Sequence, residues 1–177
     1  MPSQNRWYAA QVKFQWEMLT RDMLSGRGYD VLLPQCHRNR GDGTDAAKPL
    51  FPGYLFFRFS PEATGKIVTC PGVLRVVSFG GEWTPVEDCE IESLQRILNT
   101  DTAREPWKHI PVGRRVCVES GPLKGVEGTV IENSKLLVVA ITMLQRAVAV
   151  ALQPDTQLSV IGKAGEETRA NSSRFVN

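Results

Sequence analysis

The chain has 177 residues, 42% hydrophobic and 23% charged, with a formal net charge of +2. These values suit one ordinary domain or two small ones with a real core, and they exclude a disordered chain. The longest apolar runs fall far short of the ~20 residues that span a bilayer, so no membrane helix is expected. MPSQNRWYAAQ lacks the basic stretch and apolar core of a signal peptide, and a cytoplasmic location is expected.

RWYAAQV (6–12) reads as a first strand opened by aromatics. FQWEMLTRDMLSGRG follows with Trp16, Leu19 and Met23 at i, i+3 and i+7, and with Arg21, Asp22 and Ser25 on the other side. This predicts an amphipathic helix stopped by Gly26 or Gly28. DVLLPQC (30–36) is a short apolar strand, and HRNRGDGTDAAK (37–48), dense in Gly, Asp and Asn, is expected to be a mobile loop. GYLFFRF (53–59) is the next strand, and SPEATGKIV looks like a short helix begun at Ser60 and Pro61. PGVLRVVSF is a turn and a strand. PVEDCEIESLQRILN is a helix with acids in its first turn and a buried stripe of Ile91, Leu94, Ile97 and Leu98. The order β-α-β-β-α-β-α over 1–105 predicts an α/β sandwich with a mostly antiparallel sheet.

The texture changes at REPWKHIPVG, which predicts a linker over 106–111. From 112 to 162 come only short β-like pieces, RRVCVE, GVEGTVIE, LLVVAIT, AVAVAL and LSVI, as in a small SH3-like barrel. Residues 163–177 have little to bury and read as a flexible tail. The expected fold class is therefore α+β, with an α/β sandwich followed by a β-barrel.

Chemistry-bearing motifs are sparse. Cys36, Cys70, Cys89 and Cys117 form no CxxC pair, so no metal or cofactor is expected. No Ser/His/Asp spacing, phosphate-cradling GxxxxGK[ST] or carboxylate pair beside a His points to an enzyme. Charge is uneven: residues 1–58 hold eight Lys/Arg against five acids, and residues 82–92 hold five acids and no base.

The densest aromatic cluster is PLFPGYLFFRF (49–59). Strand alternation sends Leu55, Phe57 and Phe59 to one face, and Tyr54, Phe56 and Arg58 to the other. Arg58 argues against burial on both faces, so the Leu55 face is the expected core and the Tyr54/Phe56 face is partly open. On the residues alone, Tyr54 and Phe56 either pack under a loop or helix or form a surface that a partner meets.

VGRRVCVESGPLKGVEGTVIE (112–132), with its Gly-Pro turn and spaced glycines, resembles the KOW motif of ribosomal proteins and transcription factors. RWYAAQV, a helix, FPGYLFFRF and PGVLRVV ahead of an acid-rich helix resemble the N-terminal domain of the NusG family, and with the KOW element the resemblance spans about residues 6–162. Where housekeeping members usually show aromatic-Gly-Arg, this chain has Leu144-Gln145-Arg146. With the short linker, that looks more like the specialised paralogues such as RfaH, LoaP and the UpxY-type proteins.

The resemblance implies a non-enzymatic transcription elongation and antitermination factor. It implies that the clamp helices of the RNA polymerase β′ subunit dock on Phe51, Tyr54 and Phe56, flanked by Tyr8. Bridging to the β gate loop is implied at Lys66, although Gly65-Lys66-Ile67 lacks the threonine-rich version of the paralogues. Lys13 and Arg27 would touch non-template DNA or nascent RNA. Leu123, Leu144 and Arg146 occupy the region that binds ribosomal protein S10 or Rho, or else simply pack the barrel. A monomer without membrane contact is expected. The alternatives are a ribosome-associated or RNA-binding KOW protein, for which six bases against four acids in 108–162 is a weak basic balance, and a peptide-binding adaptor, which leaves FPGY unexplained.

Overall fold

The computed structural model of the chain describes residues 6–39, 45–59, 63–107, 113–131 and 135–163. It is a mixed α/β structure with antiparallel sheets, and two α-helices lie among the described residues. The chain divides into two compact units, Met1–Ile91 and Glu92–Asn177.

The first unit begins with β1 (Trp7–Val12) and α1 (Glu17–Gly26). Helix α1 closes in a Schellman arrangement. Gly28 N–H donates to the Ser25 carbonyl, Tyr29 N–H donates to that of Leu24, and Gly28 has φ +80°. The apolar stretch at 30–36 is not one strand. It divides at Leu33-Pro34 into β2 (Asp30–Leu32) and β3 (Gln35–Asn39). Proline cannot donate to a ladder, and the Pro34 carbonyl instead accepts Leu50 N–H at 2.8 Å.

The segment expected to be a mobile loop is in part a hairpin. β3 pairs with β4 (Asp45–Pro49) from Gln35↔Pro49 to Asn39↔Asp45, around residues 40–44 that lie outside the described set. Ladder bonds come from the backbone and need no apolar side chains, which is why composition missed it. β5 (Tyr54–Arg58) follows. The helix expected from Ser60 is reduced, among the described residues, to a 3-10 turn at Ile67–Thr69, and residues 60–62 lie outside them.

β6 (Val73–Val76) leads to a hairpin of β7 (Ser78–Phe79) and β8 (Glu82–Trp83) that the sequence reading did not anticipate. The main sheet of this unit runs β2-β5-β1-β6, all antiparallel. One of its faces carries the core of Tyr8, Ala10, Val12, Leu55, Phe57 and Val76, closed by Leu24 of α1, Tyr29, Ile67 and Cys70.

Helix α2 (Asp88–Leu98) has Asp88 and Glu90 in its first turn and Arg96 in its last, as the helix dipole favours. Ile91, Leu94 and Ile97 are buried as expected. The division into units falls within this helix.

The second unit forms one antiparallel sheet, of β9 (Arg104–Trp107), β10 (Arg114–Val118), β11 (Glu127–Val130), β12 (Leu136–Ile141), β13 (Arg146–Ala151) and β14 (Leu158–Lys163). Their order is β14-β10-β11-β12-β13-β9. All five expected strands are present. The sixth, β9, takes residues 106 and 107 from the expected linker and pairs them with β13 through Trp107↔Ala147 and Pro106↔Val148. Residues 108–112 and the expected tail from 164 onward lie outside the described set. Within this unit Ser93 Oγ accepts Glu127 N–H at 3.1 Å, and Arg96 donates to the Lys124 carbonyl at 3.2 Å.

Candidate functional site

FPGY is a tight turn before it is an aromatic cluster. Pro52 occupies the second position and Gly53, with φ +79°, the third, while Tyr54 N–H donates to the Phe51 carbonyl at 3.0 Å. That is the type II pattern, which places proline at the second position and requires positive φ at the third. Phe51 and Tyr54 are thus the two corner residues of one rigid turn, and β5 starts from it.

Side chains of β5 alternate as predicted. Phe57 and Phe59 pack together at 5.9 Å, and with Tyr29 and Trp83, in the core. On the opposite face Phe56 meets Phe51 edge-on at 5.5 Å. Two expectations need correcting here. Phe56 and Phe51 are not on a partly open surface: their relative exposures are 0% and 1%, and of the trio Tyr54 alone is half-buried. Arg58 did not report on Phe56 because it sits at the strand end, where it has its own partners. Its guanidinium pairs with Asp30 at 2.8 Å and lies 5.1 Å from the centre of the Trp7 ring.

Tyr8 likewise does not flank Tyr54 and Phe56. It is opposite Phe57 in the β1–β5 register and is 3% exposed. Its ring lies 5.9 Å from Phe57 and 6.0 Å from Trp83, on the core face.

Helix α1 turns an unexpected side to this turn. Of the expected stripe Trp16 and Met23 are half-buried, Met23 against the core, and Leu19 is 48% exposed, while the fully buried residues are Glu17, Thr20 and Leu24. Glu17 Oε1 accepts Gly53 N–H at 2.8 Å, while the Gly53 carbonyl accepts Val12 N–H at 2.8 Å. The PGV turn meets the same helix. The Gly72 carbonyl accepts Lys13 N–H at 2.8 Å, and a Cβ on Gly72 would lie 2.2 Å from Thr20 Oγ1. The sequence reading assigned Glu17 no role. The signal available was the turn itself: Gly53 N–H finds no acceptor within a type II turn and needs one from elsewhere.

Lys66 is exposed, and its carbonyl accepts the Thr69 hydroxyl at 2.7 Å. Arg27 is already engaged in structure: its guanidinium donates to Thr69 Oγ1 at 3.2 Å and to the Lys66 carbonyl at 3.5 Å. Tyr29 Oη donates to the Gly65 carbonyl at 2.8 Å, and burial pushes its phenol above the usual range against the opposing pull of Arg27. The 65–69 segment is thus tied to the end of α1. Lys13 is exposed, with its ammonium 4.4 Å from the Trp16 ring centre.

In the second unit Leu123 is buried, the position of a packing residue, Leu144 is half-buried and Arg146 is exposed at the start of β13. No group of three or more His, Cys, Asp and Glu among the described residues is placed to hold a metal ion. No helix among them is long and apolar enough to cross a membrane.

Comparison with known proteins meets this geometry at the same segment. The chain is similar to a solved structure titled "Domain interaction in Thermotoga maritima NusG", at 21% identity, 89% coverage of this chain and 93% of that one, and a TM-score of 0.45. The family model described as "Transcription termination factor nusG" matches residues 5–95, just over half of the chain, from β1 through FPGY and PGV into α2. On that match the protein belongs to the NusG family.

Proposed function

We propose that this chain is a non-enzymatic transcription elongation and antitermination factor that binds RNA polymerase. Family membership supports the transcriptional role and the binding to polymerase. The finer reading is that the clamp helices of the β′ subunit dock at the FPGY corner. The observation that carries it is the rigid turn that presents Tyr54, half-buried, at its corner. Phe51 and Phe56 form a closed edge-to-face pair beside it. In this reading Tyr54 makes the contact and the pair gives it a stiff base, as aromatic anchors on rigid turns do in helix-in-groove recognition. A factor that prefers the closed clamp enriches that state and so disfavours pausing.

A titration of the purified chain with a β′ clamp-helix fragment tests the proposal. Binding is expected, and Tyr54→Ala should weaken it by about 2 kcal/mol, roughly thirtyfold. No binding by the unaltered chain, or unchanged binding by the variant, would place the docking surface elsewhere.

Leu144-Gln145-Arg146, in place of aromatic-Gly-Arg, supports a specialised paralogue over a housekeeping factor. Occupancy confined to a few transcription units in a genome-wide binding profile is the expected outcome. Occupancy across most units would sink that part.

A further inference from the structure

The buried face of α1 poses a physical problem that its sequence does not reveal. Glu17 is 4% exposed, and no ion pair involves it among the described residues. A buried acid side chain without a cation is a costly choice for a helix face, and Gln would offer an oxygen acceptor at the same reach without a charge. What the carboxylate does have is one backbone partner, Gly53 N–H, at 2.8 Å. An ionised acceptor makes a stronger and more directional bond than a neutral one.

The site of that bond is informative. In the Phe51–Tyr54 turn the closing hydrogen bond uses Tyr54 N–H, so the Pro52–Gly53 peptide has no restraint from the turn itself. The type II geometry places that peptide at the point where a flip converts the turn into another type. Glu17 holds it through the Gly53 N–H, and Val12 N–H holds the next peptide, Gly53–Tyr54, through the Gly53 carbonyl at 2.8 Å. Together the two bonds tie the turn to the start of α1 and to the end of β1, and the last residue of the turn is Tyr54, where β5 begins.

We infer that Glu17 is a positioning residue for the docking segment: its carboxylate holds the Gly53 amide against α1 and thereby fixes the placement of the turn from which Tyr54 meets its partner. The inference rests on the docking reading given above for the partner, but not for the lock itself.

The test uses the full chain with Glu17→Ala, Glu17→Gln and Glu17→Asp, read by two measurements. The first is the chemical shift and hydrogen exchange of the Gly53 amide by NMR. The second is titration with the β′ clamp-helix fragment. Glu17→Ala should move the Gly53 amide proton upfield, speed its exchange by about tenfold or more, and weaken binding by about tenfold. Glu17→Gln keeps an oxygen acceptor at the same reach and should restore both to within about threefold of the unaltered chain. Glu17→Asp keeps the charge but draws the acceptor back by one methylene, and it should behave like Glu17→Ala. If Glu17→Ala fails to fold, the Gln and Asp variants still decide the matter, since they separate reach from charge. An unchanged Gly53 amide in Glu17→Asp would overturn the lock. A loosened amide with unchanged binding would overturn the positioning role. Should the unaltered chain not bind the fragment, the docking reading fails, and the amide measurements still decide whether Glu17 holds the turn.

Discussion

Phe56 and Phe57 are neighbours in β5 that face opposite sides of the sheet, and both have 0% exposure. Truncating either to Ala should therefore cost about 3–5 kcal/mol through lost burial and a residual cavity, whereas Tyr54→Ala should cost far less. Thermal or denaturant melts of the three variants check this, and a Phe56→Ala chain as stable as Tyr54→Ala would contradict it. A second residue-scale prediction concerns the PGV turn. Gly72 has φ +91°, and a Cβ there would lie 2.2 Å from Thr20 Oγ1, a buried hydroxyl with no hydrogen-bond partner. Gly72→Ala should destabilise by about 2 kcal/mol or more, from the left-handed backbone and the clash together. Thr20→Ala alone should change stability by no more than about 1 kcal/mol, because removal of an unsatisfied hydroxyl offsets the loss of a buried methyl. The double variant should recover the steric part and leave about 1 kcal/mol of backbone strain. Strict additivity in that double-mutant cycle would show that the two residues do not meet. The alternation of GYLFFRF was readable from sequence at this scale. The closure over Phe56 was not, because burial of a strand's second face is decided by what lies above it.

Helix α1 shows how a correct element can be read with its buried face displaced by one residue. Its span and its glycine stop were legible in the sequence, but of the expected stripe Trp16 and Met23 are half-buried, Met23 against the core, and Leu19 is 48% exposed. Two turns presenting an unpaired N–H and a crowded glycine selected Glu17 and Thr20 for the inside instead. The β12–β13 connection gives an element-scale prediction. Gln145 sits at φ 53°, ψ 37° in the left-handed region, where the NusG resemblance leads one to expect glycine. Its side-chain amide donates to the Thr142 carbonyl at 2.9 Å, which recovers part of the cost. Gln145→Gly should raise stability by about 0.5–1 kcal/mol, the gain from a side chain leaving that region less the lost bond. A lower denaturation midpoint for the variant would show that the hydrogen bond outweighs the strain. Glycine was dependable punctuation for α1, whereas Pro34 and the Pro52-Gly53 turn marked breaks that the sequence reading passed over. The β3–β4 hairpin was hidden because a ladder between polar strands leaves no trace in hydrophobic periodicity.

Across the whole chain, the second unit is where the sequence left the fold most open, since LLVVAIT and AVAVAL mix β-branched residues with Ala and Leu. Both segments are strands, paired through six residues from Leu136↔Ala151 to Ile141↔Arg146. Gly128 fits this arrangement by close approach, as a Cβ there would lie 2.7 Å from the Val138 carbonyl. The two α-helices among the described residues have 10 and 11 residues, so far-UV circular dichroism of the intact chain should be dominated by β-structure. Helix content above roughly one-third, the ordinary level for mixed proteins, would mean that residues 136–151 had exchanged strand for helix.

Composition, strand alternation and turn chemistry are local properties, and they were enough to determine a two-part α/β and β chain and its resemblance to NusG. They also determined five of the six strands of the second unit, while the turn at FPGY was seen only in the structure. Local rules reach no further than the residues they are written on. Only the tertiary structure decided that Tyr8 faces away from Tyr54, that Phe51 and Phe56 are closed off, that Arg58 is occupied by Asp30 and Trp7, and that a buried carboxylate holds Gly53. Each of these depends on contact between segments about 20 to 50 residues apart or on the second side of a sheet, where partner choice is made by packing and by the satisfaction of buried polar groups and not by sequence neighbours.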